Sequence, residues 1–219
     1  MTAVRSAATL LVLRDGADGI EVVMGKRPPG GPFGDVWVFP GGAVDPEDLT
    51  AAPDAETAWR LAALRETWEE VGLGITDPAG AEVPQGAGSV HSRLEATGAR
   101  FAVSRLVYLS NWVTPRTVSK RYDTRFFVIE ADGDVRSGDE LAEVRWLAAD
   151  DALVRHERGE FPMIFPTVSH LRYVRRFATT ADFLAEAREV DLIPAIEPRF
   201  FERGDRTEPI VDNDPRFEA

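Results

Sequence analysis

The chain has no cysteine among its 219 residues. Disulfide bonds, thiolate metal sites and a cysteine nucleophile are therefore excluded. Lysine is almost as scarce, with only Lys26 and Lys120, and 37 acidic side chains against 25 basic ones give a net charge of −12. We do not expect a nucleic-acid partner, because such binding needs a broad basic surface. An acidic protein can still bind phosphates, since divalent cations reverse the local charge in a cleft.

Long hydrophobic segments are missing as well. The longest early apolar run, Ala7–Leu13, ends at Arg14 and is too short to span a bilayer. It lacks a convincing signal-peptide cleavage region, so we expect a cytoplasmic protein with no membrane contact. The hydrophobic share of 44% is nonetheless ordinary for a globular protein with a core.

Sequence periodicity predicts a mixed sheet with helices packed on it, an α/β or α+β layered domain. The predicted strands are residues 7–14, 20–27, 36–39, 104–114, 122–130 and 144–147. The predicted helices are residues 55–71, 91–97, 149–158, 167–177 and 180–189. The predicted loops are residues 28–35, 45–54 and 77–90, of which 45–54 has the character of an insertion.

The predicted domain organisation is simple. We expect residues 1–198 to form a single domain, in which residues 160–190 are an appended helical segment. Residues 199–219 follow Pro198, contain two more prolines and carry many charges, which predicts an irregular C-terminal tail.

The helix predicted over residues 55–71 carries three acids in a compact arrangement. At 100° per residue, Glu66, Glu69 and Glu70 lie in one sector of the helix. The opposite side has an apolar stripe that can pack on a sheet, formed by Leu61, Leu64, Trp68 and Val71. Three close carboxylates repel one another unless a cation lies between them, and hard oxygen ligands suit Mg²⁺ or Mn²⁺.

A solvated acidic helix face is the alternative, and for the pattern Glu-x-x-Glu-Glu alone it would be preferred. Two features favour a metal site instead. The three glutamates lie near the C-terminal end of the helix, where the helix dipole disfavours negative charge. The pair Gly41-Gly42 precedes the helix at a strand end, where the backbone can approach a ligand closely.

Gly42, the run Arg65-Glu66-x-x-Glu69-Glu70 and Gly72-Leu73 together resemble the Nudix box, the signature of hydrolases that act on nucleoside diphosphates linked to another group. The resemblance implies an α/β/α sandwich around a mixed sheet, here with extra C-terminal helices, and metal-assisted attack of water on phosphorus. It also implies that Gly42, Glu66, Glu69 and Glu70 contribute to the metal site. Glu66, Glu69 or an outside acid would be the general base, and Arg65 would brace the preceding loop through an ion pair.

The box is interrupted in this chain. Its glycine is usually followed, after five residues, by a glutamate eight positions before the arginine. Counting back from Arg65 gives Thr57, with Glu56 adjacent, and about nine extra residues intervene. Thr67 also stands where an aliphatic residue is usual. The role of Glu56 therefore stays open, whereas the three helix acids are unaffected.

A narrower resemblance covers roughly residues 5–190. It rests on segments similar to the Nudix branch that contains peroxisomal coenzyme A diphosphatases: residues 26–27, 36–42, 112–115, 120–127 and 165–167. The resemblance implies coenzyme A or acyl-coenzyme A as the substrate, with ADP-ribose, dinucleoside polyphosphates and NADH-like molecules as alternatives. Dimers are common in the family, so a homodimer is one expected assembly.

Basic side chains near these segments are candidates to neutralise the phosphates of the substrate. They are Arg27, Arg116, Lys120, Arg121 and Arg125. Because a carboxylate outside the box often completes such sites, we also choose Glu140 from the acids around the last predicted strand. The histidines show no metal-ligand spacing, so we expect them to be surface or hydrogen-bonded structural residues.

A non-catalytic nucleotide-sensing domain on the same fold is the rival hypothesis. Such a regulator would be expected to have lost box acids and to carry a DNA-binding module. All three helix acids are present here, and the small basic group Arg172, Arg175 and Arg176 is interpreted as a solvated helix face.

Overall fold

The computed structural model describes residues 4–30, 34–203 and 206–217. The strands are β1 (Val4–Gly16), β2 (Gly19–Lys26), β3 (Trp37–Val38), β4 (Gly41–Ala43), β5 (Thr76–Asp77), β6 (Arg100–Phe101), β7 (Val107–Val113), β8 (Arg121–Glu130), β9 (Glu143–Ala148), β10 (Ala195–Ile196), β11 (Arg199–Arg203) and β12 (Arg206–Ile210). The helices are α1 (Pro46–Ala51), α2 (Ala55–Val71), α3 (Val90–Glu95), α4 (Ala149–Glu157), α5 (Phe165–Val174) and α6 (Thr180–Arg188). None of these helices is long and apolar enough to cross a membrane.

One mixed sheet organises the described chain. Its strands follow the order β10-β7-β8-β1-β2-β3, while β4 pairs with β1 and β9 pairs with β2. β1 runs parallel to β8 but antiparallel to β2 and β4. Two short sheets, β5–β6 and β11–β12, lie outside this order.

Both faces of β1 are covered, which explains its nearly continuous apolar sequence. Leu11 and Leu13 pack into one core with side chains of α4, α5 and α6. Leu10 and Val12, which alternate with them, pack into the other core with α2 and α3. The result is the α/β/α sandwich around a mixed sheet that the sequence predicts.

Helix α2 has the predicted bounds because its end signals are local. The Asp54 side chain accepts a hydrogen bond from the Thr57 backbone N–H at the start. Gly72 ends the helix with a φ of 73°, a left-handed conformation that favours glycine. The predicted apolar stripe of α2 is buried, and burial extends beyond it. Ala62, Thr67 and most other residues of α2 are buried, because α1 and α3 cover the side that is turned away from the sheet.

The segment 45–54 is not simply an insertion loop, because it contains helix α1. Asp45 is the N-cap, Pro46 occupies the first turn, and the Asp48 side chain accepts a hydrogen bond from the Asp45 backbone N–H. Proline at this position and an acid three residues after the N-cap both favour a helix start. Residues 104–114 also differ from a continuous strand, since a 3₁₀ helix, Val103–Arg105, precedes β7.

The C-terminal segment differs from the predicted irregular tail. β11 and β12 form an antiparallel hairpin, and the chain then returns to the core. Phe217 is buried with its ring 5.5 Å from that of Trp112, and Arg216 Nη1 donates a hydrogen bond to the carbonyl of Leu109. Residues 204–205 and 218–219 of the predicted tail, and residues 31–33 of the predicted loop 28–35, lie outside the described residues. The remaining predicted elements are present, with ends shifted by a few residues.

Candidate active site

Two of the three box glutamates meet the diglycine turn. The backbone N–H of Gly41 donates a hydrogen bond of 2.8 Å to Glu70 Oε2. At Gly42 an added Cβ would overlap the carboxylate of Glu66, so only glycine leaves room for that side chain. The turn is fixed to the sheet because Gly42 is the β4 partner of Ala8 in β1.

The three carboxylates differ in their exposure to solvent. Glu70 is only 3% exposed, whereas the Glu66 side chain is 13% exposed and the Glu69 side chain is 43% exposed. The glutamates therefore form a site that runs from the protein interior to its rim. We call Glu66, Glu69 and Glu70 the glutamate site.

Arg65 holds two members of the glutamate site. Its Nη1 donates to Glu66 Oε1 and to Glu69 Oε2, each at 2.9 Å. Its Nη2 donates to the carbonyl of Ala43, directly after the diglycine turn. Arg65 therefore connects α2 to the loop that follows the diglycine turn, and its guanidinium supplies positive charge between two carboxylates.

Asp48 is the partner of Arg65 that the sequence interpretation missed. Its two oxygens accept hydrogen bonds of 3.0 and 2.8 Å from Arg65 Nε and Nη2, and Asp48 is fully buried. His91 Nε2 lies 2.7 Å from Asp48 Oδ1. Five residues separate Gly42 from Asp48, so counting forward from the glycine, rather than back from Arg65, would have found it.

Glu56, the residue left open by the sequence, belongs to a different contact. It pairs with Arg60 one turn along α2, at 2.9 Å, and is 57% exposed. The insertion therefore lies between Asp48 and α2, and it leaves the ion pair of the box intact. Thr67 is fully buried, and its hydroxyl donates to the carbonyl of Ala63 at 2.7 Å.

Burial raises the pKa of two of these carboxyls. Desolvation raises the pKa of Glu66 to about 7, although the charge of Arg65 and its hydrogen bond oppose the shift. Desolvation raises the pKa of Glu70 to about 8 against the hydrogen bond from Gly41, and repulsion by Glu66 adds to it. Buried, mutually repelling oxygen donors of this kind suit a hard divalent cation, so these residues fit the metal site that the sequence predicts.

The loop between β8 and β9 brings Glu140 to the site. The backbone N–H of Arg136 donates to the carbonyl of Val71, and that of Gly138 donates to the carbonyl of Glu70. These bonds satisfy carbonyls at the end of α2 that have no partner within the helix. Glu140 follows two residues later, and its negative charge contributes to the raised pKa of both Glu66 and Glu70.

The predicted phosphate-binding residues fall into separate groups. Arg27 lies near the glutamate site, since its charge lowers the pKa of Glu70 against the effect of burial. Arg125 stacks on the ring of Trp59, 4.2 Å from its centroid, beside the N-terminal half of α2.

The other three basic residues lie around the turn from β7 to β8. The backbone N–H of Arg116 donates to Glu197 Oε1, and Arg121 Nη2 lies 3.5 Å from the same oxygen. Lys120 lies over the ring of Tyr122 at 5.5 Å. The structure therefore does not gather all five predicted basic residues at one point.

A second set of ligand-type atoms lies behind the glutamate site. Glu47, Asp48 and His91 bring one such atom each within 4.8 Å of one another, in the part of the chain that is described. Both Asp48 oxygens already accept hydrogen bonds from Arg65, so we interpret this set as an ion-pair network.

His170 has the structural role expected for the histidines. It is fully buried, its Nε2 lies 2.7 Å from Ser110 Oγ and its Nδ1 lies 2.6 Å from the carbonyl of Pro166. Desolvation lowers the pKa of His170 to about 3, so the imidazole is neutral at ordinary pH. Its ring packs on Phe126 in the core on the other face of the sheet, away from the glutamate site.

The α/β/α fold, with a half-buried glutamate site on a helix beside a diglycine turn, is the arrangement that the sequence resemblance implies for a hydrolase of diphosphate linkages. The family model described as the NUDIX domain matches residues 4–165, and the chain belongs to this family. It is a Nudix-type diphosphate hydrolase, and Nudix hydrolases generally use divalent metal ions.

Solved structures agree with this assignment. The chain is similar to a NUDIX hydrolase from Alicyclobacillus acidocaldarius, with 32% identity over 84% of this chain and 97% of that one and a TM-score of 0.75. It is also similar in fold to the NUDIX domain of Shewanella oneidensis NrtR in complex with ADP ribose, with 13% identity, 80% and 89% coverage and a TM-score of 0.53. A comparison with curated proteins found no match.

Proposed function

We propose that this hydrolase uses Mg²⁺ or Mn²⁺ to cleave the diphosphate linkage of a nucleoside diphosphate joined to another group. The single observation that carries the proposal is the convergence of two carboxylates, the partly buried Glu66 and the buried Glu70, on Gly41-Gly42. Their raised pKa values reflect desolvated, repelling negative charge that a divalent cation would compensate.

The proposed metal ligands are Glu66, Glu69 and Glu70, with the backbone of Gly42 beside them and Glu140 at the rim. A bound cation would supply positive charge to the substrate phosphates and increase the acidity of a coordinated water. The residues of the chain fix this geometry. Gly41 orients Glu70, and Arg65 orients Glu66 and Glu69.

The proposed general base is Glu66 or Glu69, with Glu140 as the outside alternative. Glu69 is exposed enough to meet a water, and its hydrogen bond to Arg65 restricts its position. Arg65 acts as a positioning residue, because its donors are directed at carboxylates and at the carbonyl of Ala43.

The proposed phosphate contacts are Arg27 and Arg125, with Arg116, Lys120 and Arg121 as more distant candidates. Arg27 is close enough to influence Glu70, and Arg125 has no ion pair among the described residues. A guanidinium that lacks a carboxylate partner is available for bidentate contact with a phosphate.

Coenzyme A or acyl-coenzyme A is the proposed substrate on the branch resemblance, and ADP-ribose or a dinucleotide is the alternative. We further propose that the enzyme works in the cytoplasm on small molecules, without a nucleic-acid partner, and that a homodimer is one expected assembly. The intact glutamate site favours catalysis over the rival role of a nucleotide-sensing domain.

The test is a screen of coenzyme A, ADP-ribose, NADH and a dinucleoside polyphosphate with Mg²⁺ or Mn²⁺, scored by the mass of the products. Glu66→Gln and Glu70→Gln should each lower turnover at least ~100-fold, since each removes a charged ligand. Glu95→Gln, an exposed acid on α3, is the matched control and should keep wild-type turnover.

The result that contradicts the proposal is full turnover in both glutamine variants. Binding of a diphosphate compound without hydrolysis, together with a shift of duplex DNA in a gel, would instead support the nucleotide-sensing domain.

A further inference from the structure

Four polar side chains without polar partners lie near the first half of α2, on the sheet face that α2 covers. Trp59, on the first half of α2, lies against Arg125 of β8. Asn111 of β7 is directly opposite Arg125, and Asp123 precedes Arg125 by two residues on β8. Because side chains alternate along a strand, Asn111, Asp123 and Arg125 all point to the α2 face of the sheet. We call these four residues the β7–β8 polar set.

The polar set is short of hydrogen bonds within the protein. Five buried side-chain atoms lack a partner in the described part of the chain, and three of them belong to this set: Trp59 Nε1, Asn111 Oδ1 and Asp123 Oδ1. Arg125 contributes cation–π contacts but no hydrogen bond or ion pair among the described residues. An unpaired buried polar group costs about 1–3 kcal/mol, so such a concentration at one place calls for a partner from outside the chain.

The sheet register places this set at a defined distance from the diglycine turn. Gly42 pairs with Ala8, Ala8 pairs with Arg125, and Arg125 pairs with Asn111. Gly42, Ala8, Arg125 and Asn111 therefore form one row across strands β4, β1, β8 and β7. With neighbouring strands about 4.8 Å apart, Arg125 lies about 10 Å and Asn111 about 14 Å from Gly42. Trp59 and Glu66 fall on one side of α2, since seven residues are about two turns.

The chemistry of the set is that of a site for a neutral group rich in hydrogen-bond donors. Asp123 and Asn111 offer acceptor oxygens, and the indole N–H of Trp59 offers one donor. The half-buried rings of Trp59 and Tyr108 flank Arg125 and present aromatic surface next to these atoms. Each of the four residues is partly exposed as a whole, although the unpaired atoms of Trp59, Asn111 and Asp123 are buried.

We infer that Asp123 and Asn111 bind the nucleoside part of the substrate by accepting hydrogen bonds from its donor groups. This inference rests on the proposed function, because it supposes that a diphosphate lies at the glutamate site. The diphosphate then extends from the glutamate site past Arg125. The nucleoside lies beside Asp123 and beside Asn111, which is one strand further from Gly42 than Arg125. The donors are the ribose hydroxyls or an exocyclic amine of the base.

The test is calorimetric titration of the protein with AMP in the absence of divalent metal, so that the glutamate site is not required for binding. We expect Asp123→Asn and Asn111→Leu each to weaken AMP binding about 10-fold, since the first exchanges a charged acceptor oxygen for an amide donor and the second removes the acceptor. Asp18→Asn, an exposed acid in the turn between β1 and β2, is the control and should bind AMP like the wild type. Thermal unfolding of each variant checks that it is folded.

Two further ligands identify the donor. If the exocyclic amine is bound, IMP should bind about 10-fold more weakly than AMP to the wild type but equally to Asp123→Asn. If the ribose hydroxyls are bound, 2′,3′-dideoxy-AMP should instead bind about 10-fold more weakly than AMP to the wild type but equally to Asp123→Asn.

Equal AMP affinities in the wild type and both variants, or no AMP binding by the wild type, would overturn the inference. Hydrolysis of ADP-ribose separates this result from failure of the proposed function. Retained hydrolysis with an unchanged KM in Asp123→Asn rejects only the nucleoside site. AMP binding that depends on Asp123, in a wild-type protein that hydrolyses no diphosphate, rejects only the proposed hydrolysis.

Discussion

At the scale of single residues, Arg65 organises the charges around the proposed site. Burial alone lowers the pKa of Arg65, but hydrogen bonds to Asp48 and the charges of Glu66 and Glu69 outweigh this effect and raise it. Asp48 shows the converse. Burial raises its pKa, while hydrogen bonds from His91 and Arg65 lower it overall. Each charge is therefore tolerated in the interior because of the other.

Replacement of Asp48 tests this mutual dependence. Asp48→Ala should lower the free energy of unfolding by about 3–5 kcal/mol, because it leaves the guanidinium of Arg65 buried without its main partner. Urea denaturation measures this loss. Asp45→Ala is the matched control, since Asp45 is half exposed and 3.8 Å from Arg65, and it should cost only about 1 kcal/mol as a lost N-cap. Equal losses in the two variants would show that Asp48 does not carry this ion pair.

Residue identity predicts the glutamate site better than it predicts the surroundings of that site. Glu66, Glu69 and Glu70 follow from helical geometry, which is local and periodic. The link from Asp48 to Arg65 spans 17 residues, so helical periodicity does not reveal it, and only the spacing of Asp48 from Gly42 in the box points to it. Periodicity also does not reveal the surroundings of Asn111 and Asp123, whose pairing with neighbours is set by strand register.

At the scale of elements, the diglycine turn and α2 act together. β4 consists of Gly41–Ala43 and pairs with β1, and this pairing places the turn against the C-terminal half of α2. Local signals predict α2 because both caps are in the sequence. They do not predict that α1 and α3 enclose it, because helix packing depends on tertiary contacts.

Alanine at each glycine of the turn separates function from folding. In Gly42→Ala the new methyl group overlaps only the flexible end of Glu66, so Glu66 is displaced and turnover should fall about 100-fold while folding persists. In Gly41→Ala the methyl group overlaps the backbone of Ala8 and Thr9, so the main loss should be stability, about 1–3 kcal/mol. Diphosphate hydrolysis and urea denaturation of both variants provide the comparison. Wild-type turnover in Gly42→Ala would show that the position of Glu66 is not set by this contact.

At the scale of the whole molecule, the two cores on opposite faces of the sheet pack different parts of the chain. The core between the sheet and α4, α5 and α6 also contains Phe217, which explains why the C-terminal segment is ordered against it. Charges and prolines in residues 199–219 predict an irregular tail, and no local pattern shows that one buried ring returns to the sheet. The core on the other face contains α2, and at its edge lie the carboxylates of Glu66 and Glu70 with raised pKa values.

These two carboxyls couple the stability of the whole molecule to pH. Their ordinary pKa is about 4.5, whereas in the folded, metal-free protein the pKa of Glu66 is about 7 and that of Glu70 is about 8. Between these limits the folded state binds more protons than the unfolded state, so the free energy of unfolding decreases as the pH rises. His170 acts in the opposite direction up to about pH 6.5, since its pKa is lowered to about 3, and above that pH it is neutral in both states.

Thermal unfolding between about pH 6.5 and 8.5, with EDTA or with millimolar Mg²⁺, measures this coupling. The melting temperature of the metal-free protein should fall across this range, and Mg²⁺ should stabilise the protein more at the upper end, because a cation binds the ionised carboxylates. In Glu70→Gln the melting temperature should depend less on pH, and so should its increase with Mg²⁺, since a neutral amide replaces the carboxyl with the higher pKa. A metal-free protein that gains stability over this range, or an equal effect of Mg²⁺ at both ends, would mean that these carboxylates are not the buried acids of a cation site.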